Sequence, residues 1–260
     1  MDTVCMRIRK KILEISHKSG RGHIPTSFSI IEILMAVYGT IHHRPTEPAW
    51  GGRDICILSK GHGALAHFVV LAELGYFPIE EVYRLGCFGS RFGCHADRLK
   101  VPGIEASTGS LGHGIGLAVG MALGLEIKKS DRRVYVIIGD GEANEGSVWE
   151  AVLVAVHRRL HNLTIIYDDN RSHSRGLQIS NPAAHFRGFG CHVYETDGHD
   201  LELIKNLLML ERNGVNAIIA RTEKGHGCPT LVRNPYEWHG KSPNESEFTM
   251  LMEELSAAAI

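Results

Sequence analysis

Short apolar runs that alternate with helical patterns constrain this chain more than any other feature. Asp54–Ser59 (DICILS), Arg133–Gly139 (RVYVIIG) and Leu163–Tyr167 read as strands buried on both faces. His192–Thr196, a helix from Leu201 to Arg212, and Ala217–Ala220 form a further strand–helix–strand unit. Helical spacing marks Arg7–Lys18 and a second helix after Pro25, where Ser29 and Glu32 are spaced as a capping box. Glycine-rich residues 109–124 suit a tightly packed helix entered through a glycine turn, and another helix starts near Ser147. Strands alternating with helices imply an α/β fold: a doubly wound, mostly parallel sheet flanked by helices. Such sheets bind ligands beyond the carboxyl ends of their strands. His62, Asp140, Asn170 and His199 all follow strands directly, so the candidates gather on one rim.

The 260 residues suffice for one α/β domain, with irregular loops near residues 86–108 and 222–244 and no linker or repeat between. A net charge of −1 offers no electrostatic footprint for nucleic acid or an anionic membrane. The longest apolar runs, such as Ala151–Val156, are too short to span a bilayer. Met1-Asp2-Thr3 leads straight into a charged helical pattern rather than a signal peptide. The six cysteines are scattered without a C-x-x-C pair, as in reduced cytoplasmic proteins.

Asp140 stands between Gly139 and Gly141 directly after a buried strand, and Asp169-Asn170 follows the next strand of the same unit. Neighbouring parallel strands end side by side, so the Asp140 carboxylate and the Asn170 amide oxygen can converge. Hard oxygen ligands of this kind suit Mg²⁺ or Ca²⁺, with phosphate oxygens and water completing the shell. The backbone carbonyl of Ser172 is a candidate third ligand. Gly141 lets the chain approach a phosphate, and the helix beginning near Glu145 points its positive dipole end there. Gly-Asp-Gly alone is a common turn; the Asp-Asn at a fold-determined interval is what makes it informative.

Gly-Asp-Gly followed by Asp-Asn at this interval resembles the thiamine diphosphate signature, and the surrounding segments resemble transketolase. The resemblance is carried by residues 139–146 (GDGEANEG) with Trp149-Glu150-Ala151, and by Ser59-Lys60-Gly61-His62, Thr108-Gly109-Ser110-Leu111-Gly112, Asp197-Gly198-His199-Asp200 and Thr222-Glu223-Lys224-Gly225. It implies that Asp140 and Asn170 hold the metal (Mg²⁺, with Ca²⁺ or Mn²⁺ as alternatives), with Ser172 beside them. Gly139, Gly141, His62 and His239 would then lie near the diphosphate, and Gly109 and Leu111 along the cofactor. His23, His95 and His239 would be catalytic, facing the thiazolium and the sugar hydroxyls. Glu145 and Glu150 resemble acidic residues that meet their counterparts at a subunit interface. His199 reads instead as a turn residue beside an Asp200 N-cap.

The resemblance covers only the first part of a full-length transketolase. It therefore implies the N-terminal, diphosphate-binding subunit of a split enzyme, completed by a separate C-terminal, pyrimidine-binding subunit with two copies of each chain. The implied reaction moves a two-carbon ketol unit from a ketose or its phosphate to an aldose. The alternatives are the alpha subunit of a 2-oxo acid dehydrogenase, a 1-deoxyxylulose-phosphate synthase-like enzyme, and a cofactor-binding regulatory partner without turnover.

Overall fold

The computed structural model describes residues 3–210 and 213–258. It is built on one five-stranded parallel sheet in the order β1-β2-β3-β5-β4. The strands are β1 (Ile55–Leu58), β2 (Val134–Gly139), β3 (Leu163–Asp169), β4 (His192–Asp197) and β5 (Asn216–Arg221). Successive side chains of a strand point to opposite faces, and the two cores follow that period. Cys56 and Leu58 of β1, Tyr135 and Ile137 of β2, and Ile218 and Ala220 of β5 enter one core. Ile55 and Ile57, Val134, Val136 and Ile138, and Ala217 and Ile219 enter the other. Both faces are covered, which is why the sequence shows continuous apolar runs rather than alternation. Only the edge strand β4 exposes much of its length.

Helices α1 (Thr3–Ser19), α2 (Ile24–Ser29), α3 (Ile31–Tyr38) and α4 (Ala64–Glu73) pack on the first face, with the short α5 (Ile79–Val82) beside them. On the second face lie α6 (His113–Ile127), α7 (Gly146–His157) and α8 (Pro182–Phe189). Then α9 (Leu201–Leu208) and α11 (Glu245–Ala257) return to the first face, and α10 (Pro229–Arg233) lies between them in sequence. Residues 83–112 form no regular element, as expected, yet Phe92, Val101 and Ile104 are buried and anchor the segment. Among the described residues no helix is long and apolar enough to cross a membrane.

Three local expectations change. Ser29 and Glu32 form no capping box. Ser29 ends α2 with its hydroxyl donating to Asp168 (2.9 Å) and lying 3.0 Å from the Thr26 carbonyl, while Glu32 turns to Arg9. Ile30 breaks the two helices apart, because these buried polar groups find better partners across the fold than along the chain. The helix expected to reach Arg212 ends at Leu208, and residues 211–212 lie outside the described residues. The stretch 222–244 is not wholly irregular: Pro229 pre-sets φ for the first turn of α10.

Candidate cofactor site

The sheet register places the motif. Gly139 pairs with Asp168 across β2–β3, and Asp168 with Ala220 across β3–β5. The ladder runs on past the strands, with Asp140 N–H donating to the Asp168 carbonyl (3.2 Å) and Thr222 N–H to that of Asp169 (3.2 Å). The segments after β1, β2, β3 and β5 therefore meet at one edge, as the sequence leads one to expect of a parallel sheet.

At the clamp, Asp140 accepts from Gly141 N–H (2.7 Å) and His173 N–H (3.2 Å). Asn170 donates from Nδ2 to Asp168 (2.8 Å) and to Ser29 Oγ (3.1 Å). A carboxylate only accepts, so the amide nitrogen faces Asp168 and Oδ1 is left toward the adjoining turn, where it takes Ser172 N–H (3.0 Å). Burial, then the charge of Asp168, raises the Asp140 carboxyl above its ordinary range. Among the described residues Asp140 has no ion-pair partner, whereas Asp168 is paired with the fully buried Lys60. A half-buried carboxylate without an ion-pair partner among the described residues, a fixed amide oxygen and an adjoining loop are a donor set that fits a hard divalent cation. Among the described residues no cluster of three or more His, Cys, Asp or Glu side chains competes for a metal.

Three of the expected histidines form a triangle. Ring centroids lie 5.7 Å apart for His23 and His62, 5.3 Å for His23 and His239, and 5.8 Å for His62 and His239. Two glycines make this possible. A Cβ on Gly22 would stand 2.3 Å from the Gly240 carbonyl group, and one on Gly61 would stand 2.7 Å from Gly109 N. The first contact joins the His23 turn to the His239 loop; the second lays the Gly61–Gly63 3₁₀ turn, which carries His62, against Gly109. Burial, then the positive charge of Lys60, pushes His62 down to about 2. Burial, then Lys224, pushes His239 to about 4, and burial followed by His95 lowers His23. The triangle is therefore neutral at pH 7, able to donate or accept without carrying charge.

The remaining expected residues sit around this centre. His95 is exposed beside Gly109, with its Cδ2 3.1 Å from where a Cβ on that glycine would stand. Leu111 lies half-buried on the approach to α6. Gly141 packs under the His173 ring. Glu145 and Glu150 are exposed at the start of α7, and Glu145 caps no helical N–H with its side chain. His199 stays outside the triangle, and Asp200 caps α9 as expected, accepting from Glu202 N–H and Leu203 N–H.

Residues whose roles the sequence did not reveal complete the site. Lys224 donates to Ser172 Oγ (2.7 Å) and lies 3.1 Å from His239 Nδ1. Burial, then Lys60, lowers its ammonium to about 8, against the pull of Asp140 and Asp168. Lys60 supplies the buried cation, and Asp168 also accepts from the Thr222 hydroxyl. Glu142, 1% exposed, joins three segments by accepting from Ser59 Oγ, Gly112 N–H (2.9 Å) and Gly139 N–H (3.3 Å). The available signal was the charge itself, since Lys60 and Lys224 each stand directly before a glycine and close behind a strand.

Comparison with known proteins identifies the family and the fold. Residues 2–258 match the family model described as transketolase, thiamine diphosphate binding domain. An apulose-4-phosphate transketolase subunit of Actinobacillus succinogenes is 37% identical, over 95% of this chain and 93% of that protein. The 6-deoxy-6-sulfo-D-fructose transketolase subunit SqwG of Clostridium sp. is 38% identical, over 97% and 92%. The crystal structure of transketolase from Campylobacter jejuni matches with a TM-score of 0.86 at 25% identity, over 98% of this chain and 43% of that chain. This chain belongs to the transketolase family of transferases, whose thiamine diphosphate binding domain it carries.

Proposed function

We propose that this chain is one diphosphate-binding domain and acts as the N-terminal subunit of a two-chain, Mg²⁺-dependent transketolase in the cytoplasm. It would transfer a two-carbon ketol unit from a ketose to an aldose, in an assembly with two copies of each chain. The observation that carries the reading is the meeting, on one sheet edge, of a carboxylate without an ion-pair partner among the described residues, a fixed amide oxygen, the Lys224 ammonium and a neutral histidine triangle. Asp140 and Asn170 would hold the cation, with the Ser172 carbonyl as a third ligand. Lys224 and the N-terminal end of α7 would neutralise the diphosphate. Bound thiamine diphosphate supplies an electron sink for breaking and making the carbon–carbon bond. His23, His62 and His239 would orient hydroxyls and move protons at their ring nitrogens, and neutral rings near pH 7 suit that work. His95, on the more exposed side, would meet the sugar.

The partner reading rests on α6. From Gly114 to Leu125 this helix carries no polar side chain, a pattern that belongs to a buried helix. Yet Gly116, Leu117 and Gly120 are exposed, and with Val154 of α7 they edge an apolar groove of about 800 Å³. Glu150 lines the same groove. A second copy of this chain, a C-terminal-type transketolase subunit, or both would cover it. The names of the two relatives specify ketoses with a phosphate or a sulfo group, which supports a ketose bearing a terminal anion as substrate class.

The test is reconstitution with a C-terminal-type transketolase subunit, followed by a ketol-transfer assay with thiamine diphosphate and Mg²⁺. Turnover by this chain alone would overturn the split-subunit reading. Metal-dependent cofactor binding that survives Asp140→Ala would overturn the clamp.

A further inference from the structure

Behind the clamp lies a buried polar chain that the reaction does not use directly. Arg9, wholly buried in α1, forms a two-pronged ion pair with Glu32 of α3 at 2.7 and 2.8 Å. The same guanidinium donates to the Phe28 carbonyl (3.2 Å) and the His226 carbonyl (3.0 Å). Glu32 has a second partner: His199 Nδ1 lies 3.2 Å from its Oε2. On the other side of the same ring, Glu223 N–H meets His199 Nε2 at 2.8 Å. A backbone N–H can only donate, so Nε2 must be bare and the ring proton must sit on Nδ1, facing the carboxylate. The His226 ring stacks on His199 with centroids 3.6 Å apart and planes 12° apart, which fixes the ring's tilt.

The accepting end of this chain adjoins the cofactor site. Glu223 immediately precedes Lys224, whose ammonium reaches Ser172 and His239. The turn is pinned at Thr222 by Asp168 and Asp169, and at Gly225 by the Pro25 carbonyl (3.0 Å). Between those pins the Glu223 amide has His199 as its acceptor. We propose that His199 is a positioning residue for Lys224: Glu32 holds it as the Nδ1–H tautomer, and its bare Nε2 fixes the turn that presents the ammonium. The role for Lys224 at a diphosphate rests on the function proposed above; the hold on the turn does not.

The two ring nitrogens can be separated by substitution. Gln reaches as far as Nε2 and keeps an acceptor for Glu223, whereas Asn reaches only as far as Nδ1 and keeps the donor toward Glu32. Amide hydrogen exchange on the full chain, read at Glu223, should quicken at least about tenfold in His199→Asn and stay near wild type in His199→Gln. Titration with thiamine diphosphate and Mg²⁺ should show affinity about fivefold weaker in His199→Asn and largely rescued in His199→Gln. Unchanged exchange at Glu223 in His199→Asn, or equal loss in both variants, overturns the proposal. Affinity that falls in Asp140→Ala but not in His199→Asn overturns the positioning role alone. If exchange responds while neither Asp140→Ala nor Lys224→Ala alters affinity, the cofactor reading fails, and the Lys224 role with it.

Discussion

Lys60 and Asp168 form an ion pair at 1% and 0% side-chain exposure, directly beneath the residues that flank the clamp. The Asp168 carboxylate also takes the Ser29 and Thr222 hydroxyls and the Asn170 amide, so one buried charge orders three segments. Lys60→Met removes the cation and leaves the carboxylate buried. It should cost about 3–5 kcal/mol in urea denaturation. The double variant Lys60→Met/Asp168→Asn should recover part of that loss, because neither charge is then stranded.

Asp140 stands in the opposite situation, with no cation of its own among the described residues. Its carboxyl is raised in the fold, so ionisation works against folding, and stability falls as pH rises through the folded value. Asp140→Asn should therefore leave the metal-free chain at least as stable at pH 7 as the wild type. Thermal melts with added Mg²⁺ and thiamine diphosphate should raise the wild-type midpoint and not that of the variant.

The fully buried His67 shares a hydrogen bond with Tyr38 Oη at 2.8 Å, and burial pushes it down to about 4. Below about 6.5 the unfolded chain binds the proton that the fold refuses, so stability is lost as pH falls from about 6.5 toward 4. The full shift corresponds to about 3 kcal/mol. His62 and His239 titrate in the same direction. Urea melts across pH 4–7 should show this slope, and His67→Phe should flatten it without abolishing it.

Gly22→Ala places a methyl 2.3 Å from the Gly240 carbonyl carbon and oxygen. Backbone cannot swing aside as a side-chain tip can, so the His239 loop must retreat from His23. A destabilisation of about 1–3 kcal/mol is expected, and cofactor affinity in isothermal titration should weaken by about tenfold or more. Cofactor affinity equal to wild type would show that the triangle does not depend on this contact.

Leu117 is 45% exposed on the apolar side of α6. Leu117→Glu should leave the isolated chain's stability within about 0.5 kcal/mol. Sedimentation of the variant with a C-terminal-type partner should show the assembly lost, since a charge would enter a desolvated groove.

The sheet was legible in the sequence because its strands are buried on both faces and its helices on one. The runs around Ile57, Val136 and Ile165 show the first period, and Ile8, Ile12 and Ile15 of α1 show the second. Asp140, Asn170 and His62 could be placed on one rim because each follows a strand, and parallel strands end together; His23 and His239 follow helices, and only the family resemblance pointed to them. Ser29 with Glu32 misled because a spacing of three residues describes local geometry only. Both side chains bond across the fold instead, to Asp168 and to Arg9 with His199.

Thus the sequence by itself determined the layered parallel sheet and the positions of Asp140 and Asn170 directly after β2 and β3. These follow from periodicity and strand order, which are properties of neighbours along the chain. Only the tertiary structure decided that Lys60 pairs with Asp168, that Lys224 reaches His239, and that His199 accepts from the Glu223 amide. Those choices join segments far apart in sequence, and each was settled by which buried donor came within reach of which acceptor.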